Sequence, residues 1–128
     1  MSKIETVACP DAPAAIGPYS QAVKSGNFLF ISGQIPLAPK TGNMVEGGIE
    51  EQTERVMASI KNILIFSGLD LNDVVKTTVY LRSLDDFQKF NDIYSKSFQN
   101  EPPARACVEV SSLPKGSLVE VDAIAVFK

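Results

Sequence analysis

Leu118-Val119-Glu120-Val121-Asp122-Ala123-Ile124-Ala125-Val126-Phe127 is the stretch on which the fold turns. Side chains alternate across a strand, so Val119, Val121, Ala123, Ala125 and Phe127 share one face and Leu118, Glu120, Asp122, Ile124 and Val126 the other. Both faces carry apolar residues, which predicts a strand in a sheet that is covered on both sides. Upstream, beyond a Pro114-Lys115-Gly116 turn, Ala104 to Val110 alternates again, with Ala104, Ala106, Val108 and Val110 on one face and Arg105, Cys107 and Glu109 on the other. The short turn predicts that these two strands pair, which would bring Glu120 near Arg105.

Pro102-Pro103 stops whatever precedes this strand. From Leu84 to Phe98, Phe87, Phe90, Tyr94 and Phe98 fall on one helical face, with Ser83 or Asp85 able to cap, and these aromatics read as core rather than as a cofactor box. Val74 to Leu81 is short and rich in β-branched residues, as a strand is. The clearest helix runs from Ile49 to Ser67: Val56, Ile60, Ile63 and Leu64 recur at helical spacing, Glu50, Glu51 and Glu54 lie early, and Gly68 follows the end. Ser32 to Gly48 reads as a loop, so that Ser32-Gly33 ends a strand. Gln21 to Val23 and Phe28 to Ile31 form a hairpin around Ser25-Gly26-Asn27, and Ala8 to Tyr19, with three prolines, forms an ordered loop.

Hairpin, helix, strand, helix, strand, strand is an α+β order without βαβ alternation, expected to be one domain over residues 1–128. Two helices cover one face of such a sheet. The apolar residues on the opposite face predict a second copy of the chain there. No apolar run approaches the roughly 18 residues of a membrane span, and the first residues lack the basic-then-apolar order of a signal peptide, so the expected compartment is the cytoplasm.

Composition removes several chemistries. There is no histidine, hence no Ser-His-Asp or Cys-His pair, no HExxH zinc motif and no imidazole acid or base. Cys9 and Cys107 form no CxxC and are expected as reduced thiols. A net charge of −3 with scattered lysines supplies no footprint for a nucleic acid, and the glycines form no phosphate loop. No metal-binding or cofactor-binding motif is legible.

Of the three arginines, at 55, 82 and 105, only Arg105 sits inside a strand-like alternation. Its planar, permanently charged fork matches a carboxylate, so it suits an anchor for an organic acid; the alternative is an ion pair with Glu109, Glu120 or a carboxylate of another subunit. Glu120 would orient or deprotonate water, or else serve as the partner of Arg105. Cys107 reads as a half-buried strand residue whose backbone amide matters more than its sulfur. Tyr19 would present its ring from the proline-rich loop or fill the core, and at Ser32-Gly33 the backbone can approach a ligand closely.

Four segments together resemble a known family: Ala14-Ala15-Ile16-Gly17-Pro18-Tyr19-Ser20-Gln21-Ala22, Ile31-Ser32-Gly33-Gln34-Ile35-Pro36, Pro103-Ala104-Arg105-Ala106-Cys107-Val108-Glu109-Val110 and Leu118 to Ala125. In this order, without a long insertion, they resemble the Rid (reactive intermediate deaminase) family, in its archetypal enamine/imine deaminase subgroup. The resemblance implies a chorismate-mutase-like α+β fold, a mixed sheet with two helices on one face and the sheets forming the core of a homotrimer, with ligand clefts between subunits. It implies hydrolysis of 2-aminoacrylate and 2-aminocrotonate, released by pyridoxal-phosphate enzymes, to 2-keto acids and ammonia, in a reaction without metal or cofactor. Arg105 would then anchor the carboxylate and Glu120 hold the attacking water; Tyr19, Ser32, Gly33, Asn91 and the Cys107 backbone would contact substrate or product. Two rival readings accompany it: members have been described as ribonucleases that inhibit translation, which the acidic charge argues against, and the same cleft would also serve a ligand-binding or chaperone-like module.

Overall fold

A computed structural model describes residues 4–128. Strand β1 (Glu5–Val7) is followed by β2 (Ala22–Ser25), β3 (Phe28–Gln34), helix α1 (Ile49–Phe66), β4 (Val74–Leu81), helix α2 (Phe87–Tyr94), β5 (Ala104–Glu109) and β6 (Val119–Val126). The strands form one mixed sheet in the order β1-β2-β3-β6-β4-β5, antiparallel except for the parallel pair of β4 and β5. This is the α+β fold expected, with the last strand central.

The alternation of β6 decides which face is core. Val119, Val121, Ala123 and Ala125 are buried beneath the helices, joined there by Leu29, Ile31, Val79 and Leu81. From α1 come Val56, Met57, Ile60, Ile63 and Leu64, all at most 4% exposed, and from α2 the fully buried Phe90. Burying aliphatic side chains of this size contributes about 1.5–3 kcal/mol each. Helix α1 starts where the Gly48 N–H donates to Glu51 Oε1 (2.8 Å), and that bond holds the Glu51 carboxyl below the usual range. It ends at Gly68, whose φ of +86° favours glycine.

Among the described residues, no helix or second sheet covers the opposite face of the sheet. Phe28 and Phe30 of β3 and Val108 of β5 stand 44–45% exposed on it, beside Ile124 and Val126. Ala104, Ala106 and Val108, the apolar side of β5, thus point to the open face, while Arg105 and Cys107 point under the helices. Among the described residues, no helix is long and apolar enough to cross a membrane.

The structure corrects five expectations. Strands β5 and β6 do not pair: β4 lies between them, because β5 runs parallel to β4 and the chain then crosses to its other side. Ser32-Gly33 does not end a strand; β3 continues to Gln34 through a bulge, three steps on β3 from Ile31 to Gln34 facing two on β6 from Ala123 to Val121. The second helix is shorter than Leu84 to Phe98, since 3-10 turns at Leu84–Asp86 and Ser95–Ser97 tighten both ends; Ser83 accepts from the Asp85 N–H at the first. Phe87 is 36% exposed and leaves the buried aromatic set to Phe90 and Tyr94. Strand β1, three residues without a legible alternation, was not expected at all.

The proline-rich loop is ordered around one side chain. Gln21, 4% exposed, accepts from the Cys9 N–H and donates toward the carbonyls of Cys9, Ala12 and Pro13, at 3.0, 3.3 and 2.8 Å. A buried amide that answers backbone groups with no sheet partner is what allows a loop to lie against the core.

Candidate functional site

Arg105 reaches from the edge strand beneath α2. Its Nη1 donates to Asn91 Oδ1 at 2.8 Å, and its guanidinium carbon lies 5.0 Å from the centre of the Tyr94 ring, 5.6 Å from Phe87 and 6.0 Å from Phe90. These aromatic faces favour a cation and strip it of water on one side. No carboxylate of the described residues lies within 4.0 Å of its nitrogens. Glu109 instead accepts the Leu84 N–H at 2.8 Å, and Glu120 is on the other face of the sheet. The guanidinium opens into a cleft of about 380 Å³ lined by Asn91, Tyr94, Ser95, Phe98 and Pro103.

Cys107 lies two residues along the same face, half-buried against the core. Burial pushes its thiol pKa up, against the opposing charge of Arg105, which keeps the sulfur protonated and unreactive near neutrality. Its backbone is differently placed. The Val110 N–H donates to the Leu81 carbonyl of β4, and N–H groups alternate sides along a strand, so those of Arg105, Cys107 and Glu109 point to the free edge. The Tyr94 hydroxyl shares a 2.7 Å hydrogen bond with Thr77; burial raises its pKa, so it stays a phenol.

Glu120 builds a separate place. It shares a cleft of about 300 Å³ with Pro13, Ile16, Tyr19, Gly33 and Lys115. Burial, and next the charge of Asp122, push its pKa above the usual carboxylate range. The bulge of β3 brings Gly33 against it: a Cβ there would meet the Glu120 carboxylate oxygen and lie 2.9 Å from Cδ, so only glycine leaves the acid where it is. Tyr19, 51% exposed, belongs to this cleft and not to the core. Ser32 faces inward to the chain, its hydroxyl donating to the Ser20 carbonyl at 2.6 Å and its N–H to the Gln21 carbonyl at 2.9 Å, which fastens the proline-rich loop to β3.

The expected residues thus fall into two groups. Asn91, Arg105 and Cys107 gather under α2; Tyr19, Ser32, Gly33 and Glu120 gather at the bulge, and a single chain does not bring the groups together. Several of the lining residues were not site candidates in the sequence, Lys115, Ser95 and Pro103 among them. Lys115 sits in the Glu120 cleft with a φ of +56°, and Ser95 and Pro103 border Arg105. The Pro-Lys-Gly turn carried a signal for the first; nothing in the pattern marked Ser95.

Comparison with known proteins agrees across the chain. A family model described as endoribonuclease L-PSP matches residues 9–127. A RutC family protein of Pyrococcus horikoshii is 54% identical over 121 residues, spanning 94% of this chain and 96% of that protein. The 2-iminobutanoate/2-iminopropanoate deaminase of Mus musculus is 47% identical over 122 residues, 95% of this chain and 90% of the relative. Escherichia coli TdcF, solved with bound serine, superposes with a TM-score of 0.92 at 38% identity, covering 97% of this chain and 99% of that one. With its fold and nearly its full length matched, this chain is a member of the Rid family.

Proposed function

We propose that this protein hydrolyses enamine and imine acids such as 2-aminoacrylate and 2-aminocrotonate to 2-keto acids and ammonia, in the cytoplasm and without a cofactor, at sites between the subunits of a homotrimer. The observation that carries this reading is Arg105: a half-buried cation framed by three aromatic rings and one amide, with no carboxylate partner among the described residues. Such a group is completed by an anion from outside the chain. A deaminase of these substrates among the relatives, and an amino acid bound to TdcF, favour a small carboxylic acid as that anion.

The two-face separation of Arg105 and Glu120 supports a shared site. One copy would contribute Arg105, Asn91 and the free Cys107 N–H, and its neighbour Tyr19, Ser32, Gly33 and Glu120, with the apolar open face of the sheet as the contact. The chemistry needs no more than this inventory. An enamine takes a proton from solvent at C3 to become the iminium acid; water adds to C2 and gives a proton to Glu120; Glu120 returns it to the nitrogen of the carbinolamine, the C–N bond breaks, and the departing ammonia takes the hydroxyl proton as C2 becomes the ketone carbon. Iminium acid plus water thus balances keto acid plus ammonium. Arg105 orients the acid, and Glu120 holds and deprotonates the water.

The test couples a serine or threonine dehydratase, which generates the enamine, to substoichiometric amounts of this protein. We expect many equivalents of keto acid per chain, formed faster than in solvent alone. Protection of one equivalent only would identify a binding module instead.

A further inference from the structure

Glu120 has an acidic neighbour that the proposed reaction does not yet use. Asp122 is two residues along β6 on the same open face, one strand repeat or about 7 Å away. Tyr80 of β4 stands directly opposite Glu120 in register and leans diagonally, its hydroxyl donating to Asp122 Oδ2 at 3.2 Å. The two carboxylates are therefore unequal. Asp122 has a donor, and among the described residues Glu120 has none.

We propose that Asp122, held by the Tyr80 hydroxyl, is a positioning residue that makes Glu120 a stronger base than a lone carboxylate and sets the pH at which the site becomes active. This rests on the reading of Glu120 as the acceptor of the water proton. Two like charges at this spacing on a half-buried face cannot both ionise freely, and the one lacking a hydrogen-bond donor keeps its proton longer. The groups facing Glu120 are few: Asp122 on its own strand, Tyr80 on β4, Lys115 on the turn and Tyr19 on the proline-rich loop, with Gly33 and Gln34 of β3 uncharged. Lys76 and Arg82 lie on the same side of β4, at either end of the row. In the proposed assembly the partner subunit adds its arginine. The pKa of Tyr80 is raised by burial first and then by Asp122 and Glu120, in keeping with three coupled acids.

Two readouts on the intact protein test this. The Glu120 carboxyl, labelled with ¹³C and assigned by its loss in Glu120→Gln, is titrated by NMR without substrate, and kcat/KM for imine hydrolysis is measured against pH. In Asp122→Asn we expect the Glu120 midpoint and the acid limb of kcat/KM to move together to lower pH, with a plateau on the order of two- to fivefold lower from the weaker base. Asp122→Glu should restore most of both. An unmoved Glu120 midpoint in the folded variant overturns the proposal and leaves the role of Glu120 intact. A midpoint that moves without the acid limb following overturns it by removing the role on which it rests. Asp122→Ser, which deletes the charge through a smaller side chain, gives the same two readouts should the Asn variant fail to fold.

Discussion

Replacing Arg105 with alanine is expected to lower kcat/KM for imine hydrolysis by roughly 10²- to 10⁴-fold while leaving the fold intact. The magnitude follows from two charge-assisted hydrogen bonds to a substrate carboxylate, each worth about 1.5–3 kcal/mol. The fold is spared because, among the described residues, the guanidinium makes one hydrogen bond, to Asn91, and no ion pair. Losing it frees an asparagine at a solvent-open cleft and leaves no buried charge behind. Arg105→Lys should recover only part of the activity, since an ammonium keeps the charge but not the fork that meets both carboxylate oxygens. Turnover in the coupled dehydratase assay, beside circular dichroism and the oligomeric mass, checks this; full activity in the folded alanine variant would refute the anchor.

Glu120→Gln is expected to reduce turnover by about 10²-fold or more, because the amide keeps size and polarity but takes no proton. The same change should stabilise the fold at neutral pH. Burial and Asp122 raise the pKa of Glu120 in the native state, so the ionised carboxylate opposes folding above that raised pKa. That opposition fades as pH falls through the native pKa toward the unfolded value of about 4.3. The difference in Tm between Gln variant and parent should accordingly be positive at neutral pH and close as the solution is acidified. A variant that lost stability at neutral pH would mean that Glu120 has a native partner after all.

What was legible in the sequence follows from which physical rules are local. Helix α1 and strand β6 announced themselves because burial on one face imposes a fixed period over many residues, and Gly68 marked a stop that only a positive φ allows. The strand order was not written in any such period. The alternation of Ala104 to Glu109 says which side chains share a face, but not that β5 lies parallel to β4, an arrangement set by how α2 returns the chain over the sheet. That one non-local fact separates Arg105 from Glu120. The chemical types of both residues were plain from the sequence, as was the absence of histidine; that they form two half-sites required the register. Asn91 illustrates the middle case: it flanks the buried Phe90 on a helix whose aromatic face was readable, yet its bond to Arg105 depends on a strand 14 residues away.

The bulge at Ser32-Gly33 makes the number of residues, and not only their identity, part of the design. Between Ile31 and Gln34 the chain carries one residue more than the ladder with β6 requires, and because the bulge leaves that residue unpaired Gln34, 5% exposed, still faces the interior. A deletion of one codon here would flatten the bulge: the glutamine would still stand opposite Val121 and face inward, two steps from Ile31, but the glycine whose missing Cβ leaves room for the Glu120 carboxylate would lose its place. Among lineages of this protein, insertions and deletions should therefore be tolerated in the segment after Leu37 far more readily than within these four positions, even where point substitutions at Ser32 are accepted.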